Sequence, residues 1–140
     1  MLRALVIAVC LLTAPVSGEV DAIFQPGSGY DGHWGVDFAV SPGTEVLAAA
    51  DGSVSFAGSV AGMRTVTVDH GHGTKTSVSH LLEISVVQGQ EVEAGEILGV
   101  SGFPHGEPGV HFSVRVGGAY IDPEVLLDCL GGTIRLLPNR

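Results

Sequence analysis

Glycine and proline punctuate this chain so closely that long helices have little room to form. Twenty-one glycines and seven prolines fall among its 140 residues. In a helix interior each glycine costs about 1 kcal/mol and each proline about 3 relative to alanine. The intervening apolar runs are rich in valine, a residue that fits a pleated, half-buried surface. Alternation is clearest from Arg64 to Asp69, where Val66 and Val68 interleave with Thr65, Thr67 and Asp69, the period of a strand with one buried face. The expected fold class is all-β, a small antiparallel β-sandwich or barrel-sandwich with a short C-terminal helix.

Along the chain, Glu19 to Tyr30 reads as a lead-in, with Gln25 to Gly32 a loop by its turn residues. His33 to Val40 follows as one strand, Ser41–Pro42–Gly43–Thr44 as a turn, and Glu45 to Ala50 and Ser53 to Ala57 as strands joined by the hairpin signal Asp51–Gly52. Lys75 to Leu82 places Thr76, Val78 and His80 on one side and Ser77, Ser79 and Leu81 on the other. Residues 87–100 supply two short strands around Ala94–Gly95. In Gly109 to Val116, the apolar Val110, Phe112, Val114 and Val116 mark the core face and leave Gly109, His111, Ser113 and Arg115 on the other. Asp122 and Pro123 are the N-cap and first position of a short helix.

The N-terminus reads as a secretory signal peptide over residues 1–18. A basic start at Arg3, an apolar run from Ala4 to Leu12 and a small-residue exit precede cleavage after Ser17 or Gly18. The apolar run is about half the roughly 20 residues that a membrane span needs, so no stable span is expected after cleavage. The mature domain is 19–140, secreted or held in the periplasm or cell envelope. Cys10 leaves with the signal and Cys129 remains alone, which excludes an internal disulfide. A net charge of −9 with scattered basic residues argues against nucleic acid, which calls for a lysine and arginine stripe.

Six histidines in so small a chain invite a metal reading. If both relevant runs are strands, His33 and Asp37 share one face of the first and His111 points from the second. Two imidazoles and a carboxylate suit a zinc ion that keeps its fourth position open for water, the arrangement of a metal hydrolase. The expected metal ligands are His33, Asp37 and His111.

The text His33–Trp34–Gly35–Val36–Asp37, with Val66 to Gly71, Thr76 to Leu81, Gly89 to Val92 and Val110–His111–Phe112 following in order, resembles the lysostaphin-type, or LytM-domain, zinc endopeptidases. The resemblance covers Gln25 to Pro123. It implies the duplicated hybrid motif as scaffold, Zn2+ on the same three ligands, and hydrolysis of peptide bonds in peptidoglycan stems or cross-bridges. His80 matches one of two family histidines that flank the attacking water. At the other position stands Gly109, and Val78 and Ser113 also replace family residues. His105, in the preceding loop, is the candidate to substitute. His70 and His72 are assigned to a turn. The alternative is a weakened or inactive domain that binds peptidoglycan or regulates another cell-wall hydrolase. A carrier domain of barrel-sandwich type lacks its attachment lysine, since the one lysine, Lys75, lies elsewhere.

Overall fold

The computed structural model describes residues 12–29 and 31–127. Cys10, Tyr30 and Cys129 lie outside the described residues. Thirteen strands follow one another: β1 (Glu19–Ala22), β2 (Gln25–Pro26), β3 (Gly32–His33), β4 (Val36–Ala39), β5 (Glu45–Leu47), β6 (Gly52–Val60), β7 (Met63–Asp69), β8 (Thr74–Leu81), β9 (Glu83–Ile84), β10 (Glu91–Val92), β11 (Ile97–Val100), β12 (Val110–Val116) and β13 (Ala119–Ile121). A single-turn 3-10 helix at Pro104–Gly106 and helix α1 (Pro123–Leu127) complete the described chain. The large sheet runs β1-β4-β12-β8-β7-β6-β10, with β13 on β12, and a second sheet runs β5-β11-β9. All pairings are antiparallel. The all-β expectation, short helix included, is the structure observed.

One face of the large sheet carries Val36, Phe38, Val54, Val66, Val68, Val78, Val110, Phe112 and Val114, which join Val46 and Leu98 of the smaller sheet in a single buried cluster. Period-two alternation then forces Asp37, between Val36 and Phe38, and His111, between Val110 and Phe112, onto the opposite face. The two are direct partners across β4 and β12. Burial of the valines thus orients the polar pair.

Two local departures from regular strand geometry matter for function. The run expected as one strand from His33 to Val40 is two, β3 and β4, interrupted at Trp34 and Gly35. The lead-in likewise contains strand β1, paired to β4, and the bridge β2, paired to β3. The second departure is at His80, whose φ is +63°, a left-handed conformation uncommon for a residue with a β-carbon. Pairing of β7 with β8 skips a residue there, from Val66↔Val78 to Arg64↔Leu81, the signature of a bulge.

Helix α1 starts as its sequence demands, with Asp122 Oδ1 accepting from the Glu124 amide at 3.0 Å. At the other end of the described chain, Leu12, Pro15 and Val16 are buried. The Thr13 amide donates to the Ala49 carbonyl and the Leu47 amide to the Pro15 carbonyl, each at 2.8 Å. Among the described residues, no helix is long and apolar enough to cross a membrane.

Candidate metal centre

The break at Trp34–Gly35 brings the first two candidate ligands together. On a continuous strand, residues four apart on one face lie roughly 13 Å from each other, too far to share an ion. Here His33 Nε2 is 3.2 Å from Asp37 Oδ1. Strand parity does not bring the two together; the turn between β3 and β4 does. Gly35 permits that turn: a β-carbon on it would strike the Phe112 carbonyl and lie 2.8 Å from His111 Nε2.

His111 Nδ1 donates to Asp37 Oδ1 at 2.8 Å. The carboxylate oxygen therefore sits between two imidazoles, at separations close to the roughly 3.3 Å between donors that share a tetrahedral ion with bonds of about 2.0–2.1 Å. Orientation is fixed from outside as well. His33 Nδ1 donates to the Ile23 carbonyl at 2.8 Å, so in the neutral ring Nε2 carries a lone pair aimed at the carboxylate. That Nε2 is buried and has no hydrogen-bond partner. Two lone-pair donors facing one another call for a cation between them, and an imidazole tied at its far nitrogen is the usual arrangement of a metal-ligating histidine. The residues present fit zinc.

A third imidazole closes the cluster. His105 Nε2 is 3.4 Å from Asp37 Oδ2, and potential ligand atoms of His33, Asp37, His105 and His111 all lie within 4.8 Å of one another. The side chains of His33 and His111 are 18 and 19 % exposed, that of His105 61 %. His105 sits in the 3-10 turn with φ +53°, on a loop rather than a sheet strand. His80 completes the group, its ring centre 5.6 Å from that of His105 and 6.3 Å from that of His111. Simple alternation puts His80 with Val78 on the core side. The left-handed step at His80 turns its ring to the site and returns Leu81 to the core.

The cluster polarises its own members. Burial alone would raise Asp37, but the His111 hydrogen bond and the His111, His33 and His105 imidazoles outweigh it and hold the carboxyl below its ordinary value. Burial, followed by the neighbouring His111 and His105, pushes His80 down against the smaller pull of Asp37. Asp37 is thereby kept ionised and His80 neutral.

The order of motifs, the sheet and this cluster meet in the comparison with known proteins: the Peptidase family M23 profile matches residues 31–123. The chain belongs to peptidase family M23. It is 35% identical over 94 residues to DD-carboxypeptidase/endopeptidase Mpg of Neisseria meningitidis serogroup B, covering 65% of this chain and 22% of that protein. It is 32% identical over 105 residues to cell division protein DipM of Caulobacter vibrioides, covering 72% and 17%. The antimicrobial peptidase lysostaphin from Staphylococcus simulans superposes with a TM-score of 0.69 at 26% identity, covering 94% of this chain and 56% of lysostaphin. The chain thus spans less than a quarter of the two curated relatives.

In this M23 domain, Gly109 does not leave a hole in the cleft. It is buried, its amide and carbonyl pair with Gly102 at 2.9 and 3.1 Å, and a β-carbon on it would meet the Phe38 backbone carbonyl. The parity that aims residue 109 at the cleft fails where the strand ends as a single bridge to Gly102. His70 anchors its turn, Nδ1 donating to the Asp51 carbonyl at 2.8 Å and Nε2 2.7 Å from the Thr76 hydroxyl. His72 is exposed.

Beside His111, a groove of about 520 Å³ runs over the outer face of the large sheet. Its floor includes the hydroxyls of Thr67, Ser77, Ser79 and Ser113, and Trp34, Phe56 and Tyr120 line it. Arg115, which strand alternation puts on the face of His111, lines it together with Lys75.

Proposed function

We propose that the domain is a secreted zinc endopeptidase that hydrolyses peptide bonds in peptidoglycan stems or cross-bridges. The observation that carries this reading is the orphaned, buried His33 Nε2 aimed at Asp37 Oδ1. His33, Asp37 and His111 would hold zinc from sheet strands, and His105 is the exposed loop member of the cluster. Zinc, when bound, lowers the pKa of water to about 7 and polarises a carbonyl. His80, kept neutral, takes a proton from the attacking water or hydrogen-bonds the oxygen on which charge develops. His105, on the loop that precedes β12, supplies the second imidazole that Gly109 does not. The peptide lies in the groove beside His111, with the hydroxyl floor as its hydrogen-bonding surface.

The test is the zinc content of the purified protein, followed by release of new amino groups from peptidoglycan with and without chelator. Stoichiometric zinc and chelator-sensitive release are expected. No zinc uptake overturns the metal assignment.

Gly109 favours a second reading, a domain that binds peptidoglycan or regulates another cell-wall hydrolase. Zinc uptake without hydrolysis, accompanied by sedimentation with peptidoglycan, would establish it in place of the first.

A further inference from the structure

Two cations line the groove beside the metal centre. Lys75 and Arg115 are direct partners across β8 and β12, and both line the groove. Like charges placed opposite one another on a sheet are unfavourable, yet here they adjoin in a protein with 15 acidic residues and six basic ones. Among the described residues, every ion pair involves a histidine and Asp37, so neither Lys75 nor Arg115 has a carboxylate within 4.0 Å. Asp69 lies opposite Lys75 on β7, but its Oδ1 accepts from the Gly71 amide at 2.9 Å, inside its own turn. The Arg115 guanidinium stands 5.7 Å from the centre of the Tyr120 ring. Such stacking holds the cation and leaves its N–H edge open to a bidentate acceptor.

Resting on the peptidase reading, we propose that Lys75 and Arg115 form an anion subsite for a free carboxylate of the bound peptide, and that the domain thereby selects acidic over amidated peptides. Arg115 lies four positions along β12 from His111, roughly 14 Å at about 3.4 Å per residue. The carboxylate recognised is therefore several bonds from the one cut, on the peptide segment lying over Ser113 and Ser77. A carboxylate there relieves the repulsion between the cations and offers an oxygen to each, whereas an amide is neutral and has a single accepting oxygen.

Trp34 lines the groove and is the chain's one tryptophan, so its fluorescence reports occupancy without any turnover. The probes are soluble muropeptides and the same preparation with its carboxyls converted to carboxamides. The full chain is expected to bind the acidic preparation about tenfold more tightly, with the difference shrinking at high salt. The double variant Lys75→Gln/Arg115→Gln should bind both alike, while Arg115→Lys keeps most of the preference. Equal binding of the two preparations by the unaltered protein, no response of Trp34 to either, or a preference that survives in the double variant would each overturn the subsite. Selective binding without cleavage by the zinc-loaded protein leaves the subsite standing and removes the peptidase reading. Cleavage of both preparations with equal binding does the reverse.

Discussion

Gly35 lies against the imidazole of His111, so close that a β-carbon on it would sit 2.8 Å from Nε2. The same β-carbon would strike the Phe112 carbonyl, a backbone atom in the middle of the sheet that cannot swing aside. Gly35→Ala must therefore displace β12 or rotate His111 away from Asp37. The expected result is a zinc affinity lower by about 10–100-fold, the range for losing a ligand's orientation. A stability loss of roughly 1–3 kcal/mol should accompany it. Competition with a chromogenic chelator and thermal melts check the two effects separately.

His80 and His105 approach the site from different elements, and their removal should leave the metal in place. His80→Ala is expected to lower peptidoglycan hydrolysis by ~10²–10³, the usual cost of one transition-state hydrogen-bonding group, with zinc content unchanged. His105→Ala should lower it comparably. Unchanged hydrolysis in His105→Ala would remove its catalytic role, and loss of zinc would make it a ligand instead. Gly109→His is expected to destabilise the domain rather than quicken it, because its side chain must first push back the Phe38 carbonyl.

Acid should destabilise the metal-free domain in two stages. His80 is lowered from 6.5 in the folded state, so the unfolded chain takes up its proton first. Its contribution is complete above 6.5 and fades as pH falls through the lowered value. Asp37, lowered from 3.8, contributes fully above that value and loses its contribution as pH falls further. Melting temperatures measured from about pH 8 to about pH 3 should decline monotonically on the acid side. His80→Gln should flatten the upper stage and leave the lower one, and an unaltered upper stage in that variant would contradict the assignment.

The buried placement of Leu12, Pro15 and Val16 bears on where a mature chain begins. Cleavage after Ser17 or Gly18 removes these side chains and the two hydrogen bonds to Ala49 and Leu47. Full burial of Leu or Val side chains contributes about 1.5–3 kcal/mol each. A chain beginning at Leu12 should therefore melt at higher temperature than one beginning at Glu19. Equal melting temperatures would show that the segment contributes nothing to the domain. N-terminal sequencing of the protein isolated from its natural source locates its start.

Much of the scaffold was legible because burial and periodicity are local signals. The alternation of Val110, Phe112 and Val114 with His111, Ser113 and Arg115 sufficed to orient β12, and Asp122–Pro123 sufficed to start α1. Residue type pointed to His33, Asp37 and His111 as a group, and the family resemblance added His80 and His105. How they meet was not legible. A strand has a regular rise, so alternation alone cannot bring residues four apart within 3.2 Å of each other, nor move His80 off the core side. Those placements depend on a break at Gly35 that only the packed ring of His111 explains, on a left-handed residue at His80, and on a bridge that seals Gly109 against Phe38. Lys75 and Arg115 became neighbours only when β8 and β12 paired. By itself the sequence determined the core faces of the regular strands and which titratable side chains are available. The tertiary structure decided the distances, because close approach between remote backbone segments is set by the steric fit of partners that no local window contains.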